Sequence, residues 1–266
     1  VQFVLSLFIS GIAAGAGIMA AQYWGKQDAA SIEKVIPIAL RTNLLFSGLF
    51  TILAGFCPEM LMRIFTNDAA LVASGSQYLR AVALSYVLCG ISQVYLILLK
   101  NTGHAAVSSR ISSTAVVLNI ILNAILIYGL CGAPALGIRG AAYATVAARV
   151  VELIWAYLET KKPERVRILW NRLFSSAGKI LSEDFWRYTL PVLAASLVWG
   201  IAYVLYSVIM GHMGSDAVAA NSITSIAKSL LSCLIRGVSG GAGVLIGNLL
   251  GADELEKARE YGGRLT

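Results

Sequence analysis

The sequence predicts an all-α membrane protein, a polytopic bundle of seven spanning helices. Of its 266 residues, 58% are hydrophobic and only 13% are charged, whereas soluble domains carry about 25% charged residues. The mean hydropathy is +0.74. Long uncharged runs recur, and a helix that crosses a membrane needs about 20 apolar residues. These runs are too long for the roughly ten-residue alternating segments of a membrane β-barrel, so helices are predicted.

The first four runs are nearly free of charge. The first contains none, the second has Arg41 close to its start, and the third is bounded by Arg80 and Lys100. No basic region precedes the first run and no cleavage site follows it, so it is interpreted as a spanning helix rather than a signal peptide. These four runs occupy residues 1–22, 35–57, 81–99 and 111–130.

Two of the last three runs carry charges inside them. The fifth contains Arg149 and Glu152, which stand three positions apart on a helix and are expected to form an internal ion pair. The sixth is uncharged, and the seventh carries Lys228 and Arg236. These runs occupy residues 140–158, 188–211 and 217–252.

Basic residues fall unevenly on the two sides of these runs. When the runs alternate in direction, fifteen lysines and arginines, Lys26 and Lys100 among them, lie on one face. The opposite face receives Arg63, Arg80 and Arg139. An excess of positive charge marks the cytoplasmic side. Because these residues stand at helix ends rather than in one patch, they indicate contact with the lipid bilayer and argue against a nucleic-acid partner.

Two stretches of the chain are nearly alike. GIAAGAGIMAAQYWGK begins at Gly11, and GVSGGAGVLIGNLLGA begins at Gly237, 226 positions later. Five identities at this fixed offset favour an internal duplication. Small residues at every fourth position are also a common packing device between membrane helices, and that alternative stays open. No strand precedes the glycines and no Gly-Lys-Ser/Thr follows them, so a phosphate loop is excluded.

The duplication has consequences for the organisation of the intact protein. The first and seventh runs are partners at this offset, and the partners of the second to sixth runs, placed 226 positions before or after them, fall outside the chain. The expectation is therefore a protein of two six-helix halves in parallel orientation, as in transporters whose repeats are related by an axis along the membrane normal. In that arrangement this chain holds helices two to eight of twelve.

Several motifs resemble those of the multidrug and toxic compound extrusion (MATE) family. They are GAGIMAAQYWGK, GAGVLIGNLLGA, LLKNTGHA, LNIILNAILIYG, LGIRGAAYATVAARVVE and IMGHMGSDAVAANSI, in the family's order. The resemblance implies two six-helix lobes around a central cavity, which export organic cations and other amphipathic compounds in exchange for Na⁺ or H⁺. It implies no cofactor besides the coupling ion, a monomer, and a multi-pass protein of the bacterial inner membrane.

The resemblance also divides the chain. Residues 1–159 are expected to form most of the first lobe, and residues 188–266 the start of the second. Residues 160–187 are expected to form a basic, amphipathic cytoplasmic linker that lies on anionic lipid. No Ser-His-Asp set, metal cluster or carboxylate pair in a soluble region predicts an enzyme.

Asn119 and Asn123 are candidates for a cation site. They stand four positions apart and so share one helix face, and buried amides need partners. By the resemblance, this helix supplies an asparagine and an acidic residue to a cation site, and Thr145 matches a hydroxyl that joins it. Asn123 occupies the acidic position, which removes a titratable group but leaves an oxygen for Na⁺. The structural alternative is hydrogen bonding between helices.

Lys228, Arg236 and Trp199 are candidates for a substrate cavity. Charges within a span usually face a cavity or a partner. Arg236 is expected to reach toward the cytoplasm, which leaves Lys228 as the better cavity residue. Trp199 is expected either to stack on a flat cation or to face lipid and core. A cationic lining also suits a rival function, a flippase for a lipid-linked oligosaccharide or other anionic lipid precursor; a scaffold without transport is a further alternative.

Overall fold

The computed structural model describes residues 1–63, 68–132, 134–168, 173, 178–213 and 215–265. Within these residues the chain is α-helical and contains no strand, and seven helices are long and apolar enough to cross a membrane. The predicted class and the seven predicted spans are therefore confirmed. The helices are α1 (Gln2–Gly25), α2 (Ala29–Phe56), α3 (Pro58–Arg63), α4 (Ala69–Asn101), α5 (Ala105–Tyr128), α6 (Ile138–Thr160), α7 (Lys179–His212), α8 (Ser215–Gly251) and α9 (Leu255–Leu265).

The turn from α1 to α2 recurs between α8 and α9. Gln27 and Asp253, 226 positions apart, both adopt a positive φ, of 60° and 61°. In each turn the next amide, that of Asp28 or Glu254, donates a hydrogen bond to the carbonyl five residues earlier, at 2.9 and 3.0 Å. A positive φ is uncommon for residues other than glycine. The shared conformation supports an internal duplication.

The half of the bundle that contains the C-terminal end of α1 has a core that includes the segment after α6. Met19, Val35 and Leu98, from α1, α2 and α4, pack in one buried cluster with Val166 and Phe185. Helix α7 begins at Lys179, so it includes the last part of the predicted linker. The described residues between α6 and α7 form turns and irregular chain, and two of their apolar side chains, Val166 and Leu173, are buried in this cluster. That the basic side chains of this segment lie on anionic lipid stays a prediction.

Helix α1 lies at the centre of the bundle, in contact with α2, α4, α7 and α8. Its glycines allow the contact with α7 to be close. A side chain at Gly11 would collide with Leu193 of α7, and one at Gly15 would collide with Thr189 of the same helix. These positions therefore act as small packing residues. Gly237, which repeats Gly11, has no such neighbour within the described chain.

The two copies of the glycine motif meet at the C-terminal ends of α1 and α8. A Cβ atom at Gly25 would run into the backbone carbonyl of Asn248, and one at Gly251 would run into the carbonyl of Gln22. Gln22 and Asn248 are themselves 226 positions apart. Each helix thus presents the same glycine to the same carbonyl of its partner, which is the reciprocal contact that a two-fold axis produces.

Asp28 caps the N-terminus of α2 in the α1–α2 turn. Its carboxylate accepts hydrogen bonds from the Ser31 hydroxyl at 2.5 Å and the Ser31 amide at 3.0 Å. These bonds, the hydroxyl's first, lower the pKa of the Asp28 carboxyl below its ordinary value. A cap of this kind stabilises a helix by about 1 kcal/mol.

We expect the Asp28 cap to make stability depend on pH. Because the folded-state pKa is lowered, its contribution is present above the ordinary carboxyl pKa of about 4 and is lost as pH falls through the folded value. Asp28→Asn should keep most of the cap and remove its pH dependence, because an amide has no ionisable carboxyl, and Asp28→Ala should lower the unfolding midpoint at neutral pH. Thermal unfolding of the purified protein in detergent at pH 7 and pH 3 measures both. Equal loss from Asp28→Ala at the two pH values would contradict this expectation.

Candidate functional site

A chain of hydrogen bonds joins α5 and α6 inside the membrane. The Asn123 amide donates to the Asn119 Oδ1 at 3.1 Å, and the Asn119 amide donates to the Thr145 Oγ1 at 3.4 Å. The Thr145 hydroxyl donates in turn to the Ala141 carbonyl at 2.9 Å. The three residues predicted from the sequence therefore lie together. With Tyr78, which the next paragraph describes, Asn119, Asn123 and Thr145 are called the polar cluster.

Tyr78 of α4 is the member of the polar cluster that the sequence did not predict. It lies beside Thr145. The third apolar run begins only at residue 81, so the predicted span does not include Tyr78. Helix α4 instead begins at Ala69, which places Tyr78 more than two turns inside it. Extending a predicted span through neighbouring uncharged turns would have revealed this residue.

The polar cluster offers oxygen atoms and no ionisable carboxyl group. The Asn123 Oδ1 is buried and accepts no hydrogen bond from any described residue. Buried polar atoms are generally paired, so this oxygen is available to a further partner. Carbonyl and hydroxyl oxygens are the ligands that hard cations prefer. Among the described residues, no group of three or more His, Cys, Asp or Glu side chains could hold a metal ion.

The predicted ion pair in α6 is present. The Arg149 Nη1 lies 2.6 Å from the Glu152 Oε2, and the Ser92 hydroxyl of α4 donates to the same oxygen at 3.0 Å. Glu152 is 2% exposed. The carboxylate is therefore held by a charge and a hydroxyl from two helices, an arrangement that fastens α6 to α4.

Arg236 and Trp199 meet between α7 and α8. The Arg236 guanidinium lies over the Trp199 ring, 5.7 Å from its centroid. Trp199 stacks on Tyr203, with ring centroids 5.7 Å apart, and Phe3 at the start of α1 lies 6.3 Å away. We call Phe3, Trp199 and Tyr203 the aromatic row.

The position of the aromatic row corrects the expectation for Arg236. Arg236 stands fifteen residues, about 22 Å of helix rise, before the C-terminal end of α8, and its guanidinium lies over Trp199, beside Phe3 at the start of α1. The expectation that Arg236 reaches toward the cytoplasm is wrong. Lys228 lies eight residues before Arg236 in α8. Nearer the start of the same helix, the Asn221 Oδ1 accepts a hydrogen bond from the Tyr206 hydroxyl of α7 at 2.9 Å. Arg236 therefore lies nearer the middle of α8 than Lys228 does.

Comparison with known proteins decides the family. The MatE family model matches residues 1–125 and 191–266. The chain belongs to the MatE family. The resemblance noted in the sequence is thereby confirmed, and α1 to α9 are elements of a MatE protein.

Relatives and solved structures agree with the MatE assignment. The chain is 27% identical over 226 residues to "Probable multidrug resistance protein NorM" of Thermotoga maritima, covering 82% of this chain and 48% of that protein. It is 22% identical over 260 residues to "Uncharacterized transporter YisQ" of Bacillus subtilis, covering 97% and 57%. This MatE chain thus spans about half the length of the curated relatives it matches.

Two solved structures share the fold of this MatE chain. One is an outward-facing multidrug resistance MATE family transporter of the MOP superfamily, with a TM-score of 0.79, 22% identity, and coverage of 98% of this chain and 58% of that one. The other is a MOP superfamily transporter from Pyrococcus furiosus, described as having a binding pocket of reverse polarity, with a TM-score of 0.80, 23% identity, and coverage of 98% and 57%.

Proposed function

We propose that the protein exports small amphipathic compounds, organic cations among them, in exchange for Na⁺ or H⁺, by alternating access between two lobes. The first lobe comprises residues 1–159 and the second begins within residues 188–266, with the intervening segment as the connection. Membership of the MatE family and the multidrug resistance names of its relatives support export. They do not favour the flippase alternative. The curated relatives named above come from bacteria, which supports a location in the bacterial inner membrane.

The observation that carries the proposal is the unpartnered oxygen of Asn123 in the polar cluster. A buried amide oxygen inside a span is costly unless something pairs with it, and polar residues at such positions commonly mark ion pathways. Asn119, Asn123 and Thr145 bind the coupling ion, with Tyr78 beside Thr145. Neither amide titrates near neutral pH, so Na⁺ suits this site better than H⁺.

Replacing Asn123 with alanine is expected to lower gradient-driven export at least tenfold. The protein, expressed from its complete gene, is reconstituted in liposomes, and export of the cation ethidium and, in a separate assay, of the fluorescent carboxylate dansylglycine is recorded under an imposed Na⁺ gradient and then under an H⁺ gradient. The variant loses the free oxygen, so the ion no longer binds with its full set of ligands. The gradient that drives the wild type identifies the coupling ion.

Thr114→Ala is the matched control for this experiment. Thr114 is an exposed hydroxyl on the same helix, nine residues before Asn123, which places it on the opposite face. Its substitution should leave export unchanged. Export that continues at the wild-type rate in the Asn123 variant would remove the polar cluster from the mechanism. A well-folded wild type that exports nothing under either gradient would refute the proposed function.

A further inference from the structure

In α7 after Arg187 and in α8 after Asp216, the only charged side chains are positive. Residues 188–213 and 217–252 contain no Asp or Glu, and they carry Lys228 and Arg236. In the first lobe the carboxylate of Glu152 is already bound to Arg149. No described carboxylate lies within ion-pair distance of Lys228 or Arg236. A cation within a span needs a cavity or a counter-charge, so these two side chains call for a negative partner.

The rings of the aromatic row lie next to these positively charged side chains. Trp199 and Tyr203 are stacked and remain 50% and 49% exposed. One face of Trp199 is already covered by the Arg236 guanidinium. A ligand cation would compete with Arg236 for the ring and would be repelled by Lys228. An anion would instead pair with the guanidinium, whose planar fork binds a carboxylate through two hydrogen bonds.

We infer that Arg236, Lys228 and the aromatic row form a binding site for an amphiphile that carries a planar ring and an acidic group, a carboxylate or a sulfonate. The ring of the ligand packs against the exposed parts of Trp199 and Tyr203, and the acidic group pairs with Arg236. Lys228, nearer the outer surface, attracts the anion along the route of release. The inference rests on the proposed function, since it names the class of compound that the exporter carries.

A pair of probes with one skeleton and opposite charges tests the inference. Dansylglycine carries a carboxylate and dansylethylenediamine carries an ammonium, and both report binding by their fluorescence. The protein, made from its complete gene and held in lipid nanodiscs, is titrated with each probe. We expect at least tenfold tighter binding of dansylglycine. Arg236→Gln should weaken dansylglycine binding tenfold or more and leave dansylethylenediamine binding unchanged or tighter.

Two further variants separate recognition from folding. Arg236→Lys keeps the charge and loses the fork, so it should recover part of the dansylglycine affinity if it folds as the wild type does. Arg80→Gln removes an exposed arginine on another helix, 3.9 Å from Glu59, and should change neither affinity. Tighter binding of the cationic probe, no binding of either probe, or equal affinities before and after Arg236→Gln would overturn the inference.

Failure of the anion-binding site can be distinguished from failure of the proposed export function. Gradient-driven export that depends on Asn123 but shows no preference for the anionic probe would overturn the anion site alone. Dansylglycine binding that depends on Arg236, without export under any gradient, would overturn the exporter and leave the binding site in place.

Discussion

Replacing Glu152 with leucine should destabilise the protein by about 3 kcal/mol, the lower end of the range for removing one partner of a buried ion pair. The lower end applies because the Arg149 side chain keeps 31% of its surface exposed. Without Glu152, the guanidinium stays beside α4 without its carboxylate partner, and the Ser92 hydroxyl keeps only its longer hydrogen bond, to the Cys89 carbonyl at 3.3 Å. Unfolding of the purified protein in detergent, followed by circular dichroism, measures the loss.

The double variant Arg149→Met with Glu152→Leu is the control for this prediction. Replacing both members of a buried pair with apolar residues of similar size is often neutral, so the double variant should regain most of the lost stability. The difference between the single and double changes gives the coupling between the two side chains. A double variant less stable than Glu152→Leu would show that the pair does not act as a unit.

Replacing Gly25 with valine is expected to separate the cytoplasmic ends of α1 and α8. The group in the way is the Asn248 backbone carbonyl, which cannot rotate aside as a side chain can. Overpacking of this kind costs about 1–3 kcal/mol, and relief requires a whole helix to move. We expect a lower unfolding midpoint and at least tenfold slower export in liposomes, with Gly251→Val giving the same result because the contact is reciprocal.

Gly48→Val is the matched control for the glycine contact. Gly48 lies in a helix of the same lobe, and a Cβ atom there would meet nothing within 4 Å in the described chain. The variant should therefore export at nearly the wild-type rate. Equal damage from Gly25→Val and Gly48→Val would mean that glycine itself, rather than the crossing of α1 and α8, is what the protein needs.

The sequence predicted some members of the site and missed others for identifiable reasons. The pairing of Arg149 with Glu152 and the neighbourhood of Asn119 and Asn123 follow from helix periodicity, which fixes what lies three or four residues away. Tyr78 and the direction of Arg236 depend on where a helix begins and on which helix lies beside it. Neither property is local, so composition and spacing could not supply them.

By itself, the sequence determined the number of spans, the all-α class, the family and the 226-residue repeat. It could do so because backbone groups in lipid must pair within their own segment, so each span is a continuous helix of readable length. Only the tertiary structure decided that Gly25 meets Asn248, that Val166 enters the core and that Arg236 lies on Trp199. Lipid-facing and protein-facing sides of a membrane helix are both apolar, and periodicity therefore carries little information about which side meets which neighbour.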